Sequence, residues 1–427
     1  MKTKVLLITI TTAILLAGCS QGAPPIKDIP AGNNSNTVTS VPSEPDNEII
    51  IVNDDEDRIQ EQVEIDDTSE EVLQNNSIKP AEPSTITDDV HAYAYSCLSN
   101  DDQRSVYDDI YEIISGFKTE VYMPTLDTDL IDFAFDCVLM DHPELFFVKG
   151  YSIKTYTRNG VPEKIAMSGT YIMDEKEIQG YGPVIDEYVK KCEATIPYDA
   201  DEYTKVKKVY EYIVKNTEYD KSAPNNQNIV SVFAEKRSIC QGYAKAMQYI
   251  LNDLGIFCTL VEGSVKEGEH HVWDLVRIDG QYYHVDPTWG DSPYNRVNKD
   301  GEPEAVNGSY TSSEINYDYL CITTDEIGIT HEIENSVPIP ECESVDANYY
   351  VREGLYFTSI DEDALEQAFI RAYNSGEYSI TIKCSDEQVY SDMKYYLFDR
   401  RKIFKYLRDT SVSYAEIPGH NEILIDL

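Results

Sequence analysis

Basic charge is what this sequence has least of. Its 427 residues carry 35 Lys and Arg against 77 Asp and Glu, a formal net charge of −42 at neutral pH. The excess is spread along the whole chain. Such a chain offers no basic patch to a phosphate backbone, so no nucleic-acid partner is expected. Direct docking on anionic lipid is disfavoured for the same reason, and solubility is the simplest use of the charge. Long hydrophobic runs are missing after the first twenty residues, so no later segment is expected to span a bilayer. A dense disulfide framework is missing too. Of the nine cysteines, Cys19 and Cys240 stand in motifs of their own. Cys97, Cys137, Cys192, Cys258, Cys321, Cys342 and Cys384 are an odd, scattered set. Several lie in apolar stretches and are expected as buried thiols. A Cys321–Cys342 bridge is the one pairing to look for. Internal repeats are absent.

The amino terminus is organised differently from the rest. Lys2 and Lys4 precede an apolar stretch over 5–16, and Leu16-Ala17-Gly18-Cys19 resembles a bacterial lipobox. About 14 apolar-leaning residues are too few to span comfortably, which disfavours an uncleaved anchor. The resemblance implies that Cys19 is acylated and becomes the mature amino terminus, tethering the protein to the outer side of the cell membrane. Residues 20–85 are rich in Pro, Ser, Asn, Asp and Glu, include Asp54-Asp55-Glu56-Asp57, and are expected to be a disordered acidic linker. As a flexible coil it would reach about 45 Å from the lipid. Ile49-Ile50-Ile51-Val52 is an apolar exception within it. The expected layout is thus a signal over 1–19, a linker over 20–85, a mostly helical domain over 86–196, a core domain over 197–340 and a small α+β domain over 341–427. In the first domain, helices are predicted over 101–117, 127–140 and 174–193, with a hairpin at Arg158-Asn159-Gly160.

Cys240 opens a strong helix. Ala244, Met247, Leu251 and Leu254 recur at helical spacing, Gly255 follows as a C′ residue, and Ser238 is the candidate N-cap. The first turn of a helix presents unpaired N–H groups and the positive end of the macrodipole, which favour the thiolate. The alternative is a buried structural cysteine.

About thirty residues later comes His271-Val272-Trp273-Asp274, and Asp279-Gly280 then marks a two-residue hairpin. If Ile278 pairs with Gln281, Trp273 pairs with Asp286 and His271 with Thr288. With side chains alternating, His271, Trp273, Leu275 and Asp286 share one face. Val272, Val276, Ile278, Tyr283 and Val285 share the other. His271 and Asp286 become diagonal neighbours, roughly 7–8 Å apart at the backbone and within reach of a hydrogen bond. The carboxylate would fix the ring tautomer, leaving the other ring nitrogen for a thiol. A metal site is the rival, since His270, His271, His284 and Asp286 are all ligand types. The register opposes it. His270 faces away from His271, and His284 sits opposite Leu275, roughly 13 Å along the strand at ~3.3 Å per residue. Zinc ligands must lie within about 2.0–2.3 Å of the ion.

Cys240-Gln241-Gly242-Tyr243-Ala244, His271-Val272-Trp273-Asp274 and Asp286-Pro287-Thr288-Trp289 together resemble the bacterial branch of the transglutaminase-like superfamily, over roughly residues 201–331. The resemblance implies a papain-like α+β fold, with a nucleophile helix packed on an antiparallel sheet. It also implies Cys240 as nucleophile, His271 as general base and acid, and Asp286 as orienting carboxylate. That superfamily includes transglutaminases, deamidases and peptidases. The family usually has Asn where Asp274 stands, on the face away from His271. Asp141-His142-Pro143-Glu144-Leu145-Phe146 also resembles a string found upstream of this domain in secreted relatives.

The chemistry expected is attack of Cys240 on a peptide or glutamine amide through a thioester. The Cys240 backbone N–H is one oxyanion donor and Tyr219 a candidate for the second. Trp273 and Trp289 are expected as packing residues that keep the site dry. No cofactor is implied. The partner would be a protein or peptide, a cell-wall peptide among them. The rival from another class is a non-catalytic surface-binding or wall-associated module on the same scaffold.

Overall fold

The computed structural model describes residues 57–64, 92–265, 268–291, 296–297, 303–304, 315–417 and 420–427. The expected signal, Cys19, the apolar run at 49–52 and all of the expected linker except 57–64 lie outside the described residues.

An antiparallel five-stranded sheet forms the centre, in the order Leu320–Ile322, Gln281–Val285, His270–Ile278, Cys258–Val265 and His331–Ile333. Alternation divides its two faces as the sequence suggests. Val272, Val276, Ile278, Tyr283 and Val285 pack with Ala244, Met247 and Leu251 of the helix Cys240–Asp253. Trp273, Leu275, Val261 and Val265 pack on the other side with Trp289, Tyr319 and Ile327. Burying the first of these apolar layers is the main favourable term holding the helix on the sheet.

The helix ends as expected at Gly255, whose φ of +72° suits a residue without Cβ. Its start differs. Ile239 is the N-cap and contributes no side-chain bond. Ser238 is held in a short parallel bridge opposite Tyr219, and its hydroxyl hydrogen-bonds to Asn226 O at 2.8 Å and Ser231 Oγ at 2.6 Å. That polar pair presses on the first turn: a Cβ at Gly242 would meet Ser238 Oγ at 2.0 Å.

The amino-terminal unit has helices Asp101–Ser115, Thr128–Asp141 and Glu175–Glu193. It is less helical than expected, because the hairpin Val148–Arg158/Val161–Tyr171 grows into a four-stranded sheet. Its outer strand, Arg58–Glu64, runs parallel to Val148–Arg158 and lies within the stretch expected to be disordered. Backbone pairing recruits it, and Arg58 anchors it by ion pairs to Asp132 (3.1 Å) and Asp136 and by stacking over Phe135 and Tyr151. A composition-based reading misses a strand of mostly polar residues whose backbone is paired by a neighbour.

Asp141 ties this unit together. Its carboxylate accepts from Ala94 N, Tyr95 N and Tyr107 Oη at 2.8–2.9 Å. Next to it, Gln248 of the helix Cys240–Asp253 donates to Met140 O at 2.7 Å. One apolar cluster runs from Val106 and Phe135 through Tyr188 and Phe233 to Met247, so the core is continuous across the 196/197 boundary. The carboxy-terminal unit keeps its own cluster. There a four-stranded sheet packs with helices Glu362–Ser375 and Glu387–Lys394.

All eight described cysteines are free thiols, and all but Cys97 are buried. The Cys321–Cys342 bridge does not form, because Cys321 packs into the helix-side layer and Cys342 into the opposite one. Replacing Asp141 by Ala leaves two backbone N–H groups without their acceptor and should cost about 2–3 kcal/mol. Urea unfolding of the purified protein measures it, and a loss within error would show that the carboxylate is not a structural tie.

Candidate active site

The site grows out of the hairpin. Asp279 and Gly280 both take positive φ (+50° and +80°), the turn their sequence favours. The ladder then runs from Ile278↔Gln281 to Asp274↔Val285 in the expected register. It stops there, short of the expected further pairs. Pro287 has no N–H for a ladder and suits the first turn of a helix, and Pro287–Gly290 becomes a helical turn with Asp286 as its N-cap. The pairs Trp273–Asp286 and His271–Thr288 are therefore not made. Asp286 N donates instead to Tyr319 O at 2.9 Å. The carboxylate Oδ1 accepts from Thr288 N at 2.8 Å and Trp289 N at 3.1 Å. Oδ2 meets His271 Nε2 at 2.7 Å. The expected His271–Asp286 contact is present, reached through a cap.

Cys240 sits in the first turn of its helix, buried, with its thiol close enough to the His271 imidazole to raise its basicity. With Nε2 engaged by Asp286, Nδ1 is the nitrogen left to face the sulfur. Burial works to lower the basicity of His271, but the charge and hydrogen bond of Asp286 and the neighbouring Cys240 outweigh it, and its pKa lies well above the ordinary value. Burial likewise opposes ionisation of Asp286, and His271 together with the bonds from His271 and His331 reverses this, holding the carboxyl well below the usual range. The pair is therefore an imidazolium and a carboxylate, the protonation state that stabilises an adjacent thiolate.

His331 is a member of this cluster that sequence reasoning did not find. It comes from the edge strand His331–Ile333, whose partner strand places Gly263 opposite His271. At Gly263 a Cβ would meet Glu332 O at 2.0 Å and the Trp273 ring at 2.9 Å. The His331 ring lies 5.1 Å from His271 and 5.0 Å from Trp273. Its Nε2 is 3.3 Å from Asp286 Oδ2, and its Nδ1 is 2.8 Å from Thr330 Oγ1. It lies 60 residues beyond His271, and only the sheet order brings it back.

The metal rival fares poorly with its original ligands. His270 and His284 join no group of three metal-ligating side chains among the described residues. His284 accepts from Trp273 Nε1 at 3.1 Å and contacts Thr324 Oγ1 at 3.3 Å, and burial drives its pKa down to about 3. It is a neutral packing residue. His271, Asp286 and His331 do bring ligand atoms within 4.8 Å of one another, but both Asp286 oxygens are already occupied by four contacts to N–H groups.

Asp274 lies on the helix-side face, as expected, and is fully buried. Cys258 Sγ donates to its Oδ1 at 3.3 Å. Burial raises its pKa well above the carboxylate range, and Asp286 adds to the rise. Protonated, it is a neutral group like the asparagine it replaces. Tyr219 is brought beside Ser238, with its ring 6.5 Å from that of Tyr243. Asp291 accepts from its backbone N–H and from Tyr243 Oη. Trp273 stacks on His271 at 6.0 Å, and Trp289 meets it edge-on at 6.3 Å. Beside the helix Cys240–Asp253, Phe146, Asn226, Ile239, Gln241, Lys245 and Glu262 help line a cavity of about 380 Å³.

Residues 191–287 match the family described as the Transglutaminase-like superfamily. No curated protein matches the chain. Among solved structures, a TGase is similar at 16% identity over 38% of this chain and 48% of its own, with a TM-score of 0.26. The periplasmic domain of TgpA from Pseudomonas aeruginosa is similar at 15% identity over 30% and 55%, TM-score 0.21. Menin, in a structure revealing its binding site for Mixed Lineage Leukemia protein, is similar at 15% identity over 48% and 44%, TM-score 0.23. The chain spans about half the length of these proteins.

Asp274→Asn tests the protonated state. A carboxyl whose folded pKa is raised keeps its proton while the unfolded chain loses it near pH 3.9, so its contribution to stability falls as pH rises. The asparagine variant should gain on the natural protein between pH 4 and pH 7 by at least about 1 kcal/mol. Paired denaturation curves at the two pH values read this, and a difference independent of pH would contradict it.

Proposed function

We propose that this chain, whose residues 191–287 belong to the transglutaminase-like superfamily, is a lipid-anchored extracellular thiol enzyme acting on peptide or glutamine amides. The observation that carries the proposal is the buried His271 ring bonded to the Asp286 carboxylate, with the Cys240 thiol close enough to influence its basicity. Cys240 attacks the amide carbonyl as His271 holds the thiol proton. The tetrahedral intermediate collapses, the C–N bond breaks, and His271 Nδ1 delivers that proton to the leaving amine. A thioester on Cys240 remains. Water or a second amine, deprotonated by His271, resolves it and restores the thiol. Water gives a protease or deamidase, and an amine gives a transglutaminase.

Asp286 keeps the ring in one orientation and balances its positive charge. The uncapped first turn of the helix favours the Cys240 N–H as one oxyanion donor, and Tyr219 is the proposed second. The cavity beside Gln241 has room for a short stretch of a protein or peptide substrate, a cell-wall peptide included. The anchor is assigned to Cys19 on its lipobox resemblance. No helix of the described residues is long and apolar enough to cross a membrane. Firm anchoring by acyl chains alone calls for more than one of them.

Three outcomes follow. Iodoacetamide should modify Cys240 faster than the other thiols at neutral pH, as read by peptide mapping. An inert Cys240 would favour a binding module. Asp286→Ala should lower activity by roughly 10²–10⁴-fold, while His284→Ala costs far less. Equal losses would mean that the two residues do not differ in role. Cys19→Ser should leave the membrane fraction or retain its signal. Unchanged fractionation and processing would remove Cys19 as the anchor.

A further inference from the structure

The Asp286 carboxylate has a second imidazole on it that the chemistry above does not use. Oδ2 faces His271 Nε2 at 2.7 Å and His331 Nε2 at 3.3 Å, while Oδ1 is taken by two backbone N–H groups. An ionised carboxylate only accepts, so the His331 nitrogen facing it carries the hydrogen. In the neutral ring, Nδ1 then accepts from Thr330 Oγ1 at 2.8 Å. Burial lowers the pKa of His331, which keeps the ring in that neutral form. The other titratable groups around the cluster leave the arrangement intact. His284 is neutral and Asp274 protonated. Burial holds Tyr210 and Tyr319 in their phenol forms. Burial also lowers His270, which lies beyond His271.

We infer that His331 is a positioning residue for the thiol site, donating from Nε2 to the oxygen that receives His271 and so limiting how strongly Asp286 holds the imidazolium. This rests on the catalytic reading of Cys240, His271 and Asp286. A hydrogen bond to the charged form of a carboxylate disperses its charge. An unshared Asp286 would grip His271 more tightly, raise its basicity and make it a poorer donor to the leaving amine.

The test compares His331→Gln with His331→Met, side chains of nearly equal length of which only Gln donates. Histidine-labelled full-length protein gives the His271 titration by NMR, and the pH profile of Cys240 alkylation gives a second reading. In His331→Met the His271 titration should move to higher pH by about half a unit or more, and the alkaline limb of the profile should follow. His331→Gln should restore both. Should His331→Met not fold, His331→Leu removes the donor with a smaller side chain and should shift the titration the same way. An unchanged titration in a folded Met or Leu variant, or an equal shift in Gln and Met, overturns the inference. A natural protein whose Cys240 does not alkylate would instead overturn the enzyme proposal, and the NMR comparison would still decide the His331 contact.

Discussion

The site depends on how one buried carboxylate is satisfied. A charge without water must be fully paired, and Asp286 meets this with two backbone N–H groups on Oδ1 and two imidazoles at Oδ2. Each contact fixes something else. The backbone pair makes Asp286 the cap of Pro287–Gly290 and so places Trp289 against His271 and His331. The short contact to His271 sets which ring nitrogen remains for Cys240. Because Asp286 is positioned by the backbone of its own turn, the His271 ring is held by rigid structure, which catalysis by proton transfer requires.

Two glycines let the elements come close enough. Gly242 allows Ser238 and Ser231 to press on the first helical turn, and Gly263 lets the Glu332 backbone and the Trp273 ring approach the middle of the sheet. On the far side, Asp141 gathers the amino-terminal unit, and Gln248 links it to the helix through Met140. The Asp-His-Pro-Glu-Leu-Phe string accordingly has a structural use, with Asp141 as the tie and Leu145 and Phe146 lining the cavity beside the helix Cys240–Asp253.

Much of this was legible in the residues, because local chemistry decided it. The Asp279-Gly280 turn set the hairpin register, and with it the faces of His271, Asp274 and His284. Helical spacing after Cys240, with Gly255 behind it, set the helix Cys240–Asp253. Long-range placement decided the rest. Pro287 ended the ladder, turning Asp286 from a strand partner into a cap. Arg58–Glu64 became a strand only because an open sheet edge pairs with it. His331 gives no local signal, since its partner lies 45 residues away. Cys321 and Cys342 were near enough in sequence to suggest a bridge, but the sheet puts them in opposite layers.

The central claim is that Cys240, activated by His271, forms an acyl intermediate. Its most direct measurement is intact-protein mass spectrometry after acid quenching of the purified protein mixed with an activated acyl ester such as p-nitrophenyl acetate. The account predicts a single acetyl adduct that maps to Cys240, accumulates within the first turnovers and disappears in His271→Ala. Acetylation scattered over lysines and other thiols, or an adduct at Cys240 that forms equally fast without His271, would contradict it.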